Sequence, residues 1–119
     1  MEPTVNPDAV LSYYDYIDAE AYEDVFSLFA DDIVYERPGQ QSLSGMEEFR
    51  EFYLDGRPLE DGEHEIGQVV VGDDTVAVRG RFSGVQNGKR VSFGFSDFHR
   101  FDADGKITER TTYTDRDTV

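Results

Sequence analysis

The run from Val91 to Phe101 holds the residues best placed to do chemistry. Read with the two-residue period of a strand, one face carries Val91, Phe93, Phe95, Asp97, His99 and Phe101. The other carries Ser92, Gly94, Ser96, Phe98 and Arg100. A carboxylate and an imidazole therefore share a face with four apolar side chains. Burying an unpaired carboxylate is costly, so Asp97 must be partnered, protonated or lining a cavity. Desolvation would raise its pKa toward the range that a general acid or base needs near neutral pH. The plainer alternative is a structural Asp paired with a buried Arg or His.

Other side chains fall around this strand by parity. Arg110 points to the same side of its strand as Thr112, toward a prospective cavity, and Phe82, Phe93 and Phe95 form an apolar wall. Tyr35 shares a face with Arg37 and either lines the cavity mouth or fills core. His64 begins a strand and either reaches the pocket or stays half-exposed. Arg57, in a Gly-Arg-Pro loop, is expected to be solvated. Asp102-Ala103-Asp104-Gly105 starts like a calcium loop but lacks the third ligand and the distal Glu, so it is expected to be a hairpin turn. Two widely separated His and no Cys do not compose a first-row metal site. No Gly-rich phosphate loop precedes a helix, so neither metal nor cofactor is expected.

These side chains need elements to hold them. Asn6 followed by Pro7 reads as an N-cap with Pro in the first turn. Val10, Tyr13, Tyr14 and Ile17 then mark one helix face. A second helix carries Tyr22, Val25, Phe26, Leu28 and Phe29 up to Asp31-Asp32. A short strand, Ile33 to Arg37, closes at Pro38-Gly39. Ser44 with Glu47 predicts a capping box opening a third helix through Met46, Phe49, Phe52 and Tyr53. Four strands follow, His64 to Val71, Thr75 to Val85, Val91 to Phe101 and Ile107 to Thr114, with Asn87-Gly88 as a hairpin signal. The expectation is an α+β domain: three N-terminal helices packed on a curved, mainly antiparallel sheet around a central pocket. There are no repeats or internal linkers, so one domain spans 1–119.

Charge narrows the partners. Twenty-six acids against eleven bases give a formal charge of −15, which repels nucleic acid, and no basic stripe offsets it. The acids are dispersed, and nine of the bases are Arg, with only Lys89 and Lys106 as lysines. That pattern is expected of salt-loving archaea, where a Debye length of roughly 3 Å or less screens self-repulsion. An acidic face for a basic partner is the competing reading. No run of 18 apolar residues suggests a membrane span, and Met1-Glu2-Pro3-Thr4 lacks the look of a leader, so a cytoplasmic protein is the expectation.

The segments YYDYIDAEAYEDVFSLFADDIVYERPGQ, LSGMEEFREFY and FSDFHRFDADGKITERTTY resemble a SnoaL-like domain, over about residues 8 to 114. That group belongs to the nuclear transport factor 2-like superfamily, with ketosteroid isomerases, scytalone dehydratase and limonene-epoxide hydrolase. The resemblance implies a cone-shaped α+β fold, dimeric, with a small-molecule ligand inside the cone. Aligned on Ile17-Asp18-Ala19, the isomerases' oxyanion-stabilising Tyr falls at Tyr13; aligned on Arg100-Phe101-Asp102, their protonated Asp falls at Asp97. Their general base, an Asp before a Pro, falls at Arg37, and an Arg cannot serve as that base. The epoxide hydrolases' pair of carboxylates bridged by an Arg is also missing: Phe95 stands two residues before Asp97, and the facing strand offers Arg110 and Thr112.

What remains resembles the polyketide cyclases. On that resemblance Asp97 is the acid/base, Tyr13 a phenolic donor and Arg37 an anion or enolate clamp. His99 pairs with the surroundings of Asp97 or shuttles a proton. Three functions stay open: cofactor-free proton transfer on a carbonyl ligand, ligand binding without turnover, and a homodimer with a vestigial cavity. In the last, Arg79, Arg81, Phe98 and Tyr113 on the outer sheet face make the contact.

Overall fold

The computed structural model describes residues 5–37, 39–56, 59–86 and 88–115. The sequence expectations for Pro38, Arg57 and Asn87 lie outside them. In order come α1 (Pro7–Asp18), α2 (Tyr22–Phe26), β1 (Phe29–Glu36), β2 (Leu43–Ser44) and α3 (Met46–Glu51). A π-helical turn (Phe52–Gly56) extends α3, and β3 (Leu59–Val71), β4 (Thr75–Gln86), β5 (Lys89–Phe101) and β6 (Ile107–Thr114) follow. The sheet order is β2-β1-β6-β5-β4-β3. Every neighbouring pair is antiparallel except β1 and β6, so the sheet is mixed. No helix of the described residues is long and apolar enough to cross a membrane.

The α1 helix forms as its sequence dictates. The Asn6 side chain accepts from the Ala9 N–H at 3.2 Å, and Val10, Tyr13, Tyr14 and Ile17 are buried. The outline of three N-terminal helices needs correcting. Only α1 and α2 precede the sheet; α3 lies between β2 and β3. The second helix also stops at Phe26, because the Leu28 carbonyl accepts the Ile107 N–H at 3.0 Å and Phe29 pairs with Ile107. Strand pairing therefore takes Phe29 out of the helical pattern, yet its ring still packs 4.6 Å from Phe49.

The capping box is likewise replaced. Ser44 is a strand residue opposite Val34, and its N–H donates to Glu48 Oε1 at 3.1 Å, not to Glu47. The N-cap is Gly45, whose φ of 88° suits a residue without a Cβ. The Asp102 to Gly105 segment is a turn, as expected: Asp102 Oδ1 accepts from the N–H groups of Asp104 and Lys106.

Curvature comes from β3 and β4. Their register shifts between Glu60 and Glu63 and again between Ile66 and Gln68. At Gly80 the backbone of β3 lies so close that a Cβ would collide with the Glu65 carbonyl oxygen. The helices cover one face of this sheet. Beneath them lie Ile33, Val76, Val78, Phe82, Phe93, Phe95, Phe101 and Ile107, all buried.

Candidate functional site

Alternation on β5 buries Phe93, Phe95, Asp97, His99 and Phe101 and turns Phe98 and Arg100 outward. Asp97 is 1% exposed and fully engaged. Its Oδ1 accepts the Thr112 hydroxyl at 2.5 Å; its Oδ2 accepts the Tyr14 hydroxyl at 2.6 Å and Arg110 Nη2 at 2.9 Å. Thr112 faces Asp97 directly across the β5–β6 ladder, and Arg110 faces His99. The parity of β6 thus delivers both partners to one carboxylate.

Arg110 is buried between two phenol rings, with its guanidinium carbon 4.5 Å from the centroids of Tyr13 and Tyr35. Its Nη1 donates to the Tyr53 hydroxyl at 3.4 Å, and Tyr53 meets Tyr13 oxygen to oxygen at 2.6 Å. Tyr35 reaches Thr112 Oγ1 at 3.4 Å. Because Tyr14 gives its one hydroxyl proton to Asp97, His99 Nε2, 3.1 Å away, is the donor to the Tyr14 oxygen. His99 Nδ1 is then a buried acceptor with no partner.

The electrostatics follow from this wiring. Burial by itself would raise the Asp97 pKa, but the Arg110 guanidinium and the Thr112 and Tyr14 hydroxyls outweigh it and hold the carboxyl below its ordinary value. The expectation of a raised pKa is therefore overturned: a carboxylate with three donors stays ionised. Burial, followed by the adjacent Asp97 charge, pushes the Tyr14 phenol well above its ordinary value, so it remains protonated. His99 is held to about 3 by burial and then by Arg110, hence neutral at ordinary pH.

Among the residues singled out from sequence, Asp97, His99 and Arg110 form one cluster, with Tyr13 and Tyr35 stacked on Arg110. It is Tyr14, however, that donates to Asp97, while Tyr13 turns to Tyr53. Arg37 stands apart at the end of β1, half-buried, its guanidinium carbon 4.0 Å from the Phe52 centroid and 5.6 Å from that of Tyr35. Its Nε is buried without a partner. A cleft of about 230 Å³ lined by Glu36, Arg37, Thr111, Thr112, Tyr113 and Thr114 opens beside it. Phe82 and Phe93 pack 5.3 Å apart, and His64 lies against Phe82 and Phe95 on the same face.

Sequence reasoning passed over Tyr14, Tyr53 and Asp18. Tyr14 was visible as a buried helix position, but the alignment on Ile17-Asp18-Ala19 selected its neighbour Tyr13. Tyr53 owes its place to the π-helical turn, which periodicity does not announce. Asp18 pairs with His64, a contact between residues 46 positions apart. Among the described residues, no three His, Asp or Glu side chains converge as a metal site requires.

Comparison with known proteins places the fold. No curated protein matches the chain. A protein of unknown function from Exiguobacterium sp. 255-15 with the nuclear transport factor 2-like fold is 26% identical. The match covers 90% of this chain and 98% of that one, with a TM-score of 0.77. A candidate SnoaL-like polyketide cyclase from Jannaschia sp. CCS1 is 23% identical over 95% of this chain and 87% of its own, TM-score 0.81. An epoxide hydrolase of the limonene-epoxide hydrolase type from M. tuberculosis is 22% identical over 91% and 80%, TM-score 0.79. At such identities the last two speak for the fold alone. The family model for the SnoaL-like domain matches residues 10–110, and the chain belongs to that family.

Proposed function

We propose that the chain binds a small organic carbonyl compound carrying an anionic group, within the cone between helices and sheet, and transfers a proton on it without a cofactor. The observation that carries this reading is Arg37. In a chain with 26 acids, this half-buried guanidinium forms no ion pair with any described residue. Burial lowers its pKa, yet a guanidinium stays charged, so no ion pair among the described residues neutralises it. The adjoining cleft reaches Thr112 and, through it, Asp97. A carboxylate or enolate oxygen at Arg37 would supply the missing charge. Ionised Asp97 then serves to orient Arg110 and Tyr14, a role different from the acid/base that the resemblance implies. Tyr35 and the Phe82, Phe93 and Phe95 wall would hold the apolar body of the ligand.

Ligand binding without turnover is the second reading, favoured by the complete satisfaction of Asp97. Assembly as a homodimer through the outer sheet face is part of the proposal. Phe98 and Tyr113 are exposed there, 43% and 60%, their rings 5.9 Å apart. Arg79 and Arg81 line a neighbouring groove of about 500 Å³. A salt-rich cytoplasm is the setting we propose for the acidic surface.

The binding site is tested by NMR titration with benzoylacetate, a β-keto carboxylate, on the wild type and Arg37→Gln. Shifts at Arg37, Thr112 and Tyr35, weakened about tenfold or more in the variant, are expected, since a charge-assisted contact is worth about 1.5–3 kcal/mol. Equal affinity in the two proteins would remove Arg37 from the site.

A further inference from the structure

The sheet has one long edge, β3, which ends the strand order and pairs only with β4 among the described residues. A strand edge presents a row of N–H and C=O groups that proteins ordinarily guard with bulges, charges, proline or a covering element. The two halves of β3 are guarded unequally. In the first half the register shifts between Glu60 and Glu63 and again between Ile66 and Gln68. Glu63 and Glu65 are exposed there, and Asp18 of α1 takes the His64 backbone N–H at 2.9 Å. Over residues 68–71 the pairing with β4 runs without a break. That stretch holds no charge and no proline, and Val69, Val70 and Val71 are exposed.

The direction of the backbone follows from the turn after β3. The Gly72 N–H donates to the Thr75 carbonyl at 2.7 Å. Bonded and non-bonded pairs alternate along an antiparallel ladder, so Val70 bonds to Ala77 and the amides and carbonyls of Val69 and Val71 point to the free edge. Val69 and Val71 stand opposite the buried Val78 and Val76, on the inner side of the sheet, and Val70 stands opposite Ala77 on the outer side. A strand laid along this edge would bond to Val69 and Val71 and cover apolar side chains on both faces.

Charge selects the occupant. Glu63 and Glu65 precede the stretch and Asp73 follows it; all three are exposed and form no ion pair among the described residues. A second copy paired antiparallel about Val69 would set Glu65 of each against Asp73 of the other, and like charges directly opposite are destabilising. We propose that residues 68–71 dock an extended segment of another protein, its alternating apolar residues bracketed by Lys or Arg, which joins the sheet beside β3. Main-chain hydrogen bonds supply the affinity, and the acids at both ends select the basic flanks.

The probe is the capped peptide Lys-Lys-Val-Thr-Val-Thr-Val-Lys-Lys, and its counterpart carries Glu in place of every Lys. NMR titration in about 0.1 M KCl, where charges still act over about 10 Å, should shift the amides of residues 68–73 and slow hydrogen exchange at Val69 and Val71. The glutamate peptide should bind about tenfold more weakly or worse, since several cross-strand charge pairs change sign. Val71→Pro removes an N–H from the free edge and none from the β4 ladder, and should weaken the lysine peptide by a similar factor. If that variant folds poorly, Glu65→Gln combined with Asp73→Asn keeps the backbone intact and should narrow the gap between the two peptides. Equal binding of both peptides, no binding at millimolar peptide, or binding indifferent to these variants overturns the proposal. So does exchange at Val69 and Val71 that slows with rising protein concentration alone, since a second copy would then occupy the edge.

Discussion

His99 is a fully buried imidazole whose Nδ1 faces no donor. Burial, then Arg110, holds its pKa at about 3, against about 6.5 in the unfolded chain. A folded pKa below the unfolded one means that the stability contribution is complete above about pH 6.5. It is lost as the pH falls toward 3, because the unfolded chain takes up the proton first. Asp97 acts in the same direction lower down, its folded pKa being depressed by Arg110 and the two hydroxyls against the pull of burial. At about 1.4 kcal/mol per unit, the His99 contribution alone amounts to roughly 3 kcal/mol by pH 4. Urea unfolding followed from pH 7 to 4 should show this decline in the wild type and a shallower slope in His99→Gln. Parallel slopes would mean that His99 titrates alike in both states. The side of β5 that carries Asp97 and His99 was legible from alternation alone. The identity of the phenol on Asp97 was not, since Tyr13 and Tyr14 are successive helix positions and both are buried.

Between elements, the readable and unreadable parts divide by the range of the interaction. The β4 to β6 meander was plain because each strand carries its own alternation and turn residues. The start of β1 was not, because Phe29 continues the apolar spacing of α2 and only its pairing with Ile107, far along the chain, makes it a strand. Sheet curvature is hidden for the same reason. Gly80 reads as a weak point in a strand, while in the fold it lets the Glu65 carbonyl approach β4. Gly80→Ala should therefore cost about 1–3 kcal/mol, since backbone must move to admit the methyl. Gly94→Ala is the control, its Cβ meeting the end of the Asp115 side chain at 3.2 Å and no backbone. The urea midpoints of the two variants check this; equal losses would mean that β3 yields easily at its bulge. A flattened bend at Gly80 would also shift His64, which pairs with Phe82 two residues further along β4.

Across the whole molecule, a charge of −15 opposes compaction, and ion pairs relieve little of it. Among the described residues they engage only Asp18, Glu23, Asp74, Asp97 and Glu109. Asp31, Asp32, Glu47, Glu48 and Asp73 are exposed and repel at long range. Salt shortens that range from about 10 Å at 0.1 M to about 3 Å at 1 M. The melting temperature should consequently rise by about 5 °C or more between 0.1 M and 1 M KCl, since a domain of this size gains roughly 4 °C per kcal/mol. The outer sheet face is subject to the same argument. Two copies meeting there bring two like charges together, so Phe98 and Tyr113 can associate only once repulsion is screened. Sedimentation through the same KCl series should show monomer giving way to dimer as Tm climbs. A flat Tm would sink the salt-adapted surface, a monomer at every concentration would sink the dimer, and a Tm rise without association would separate screening within one chain from assembly.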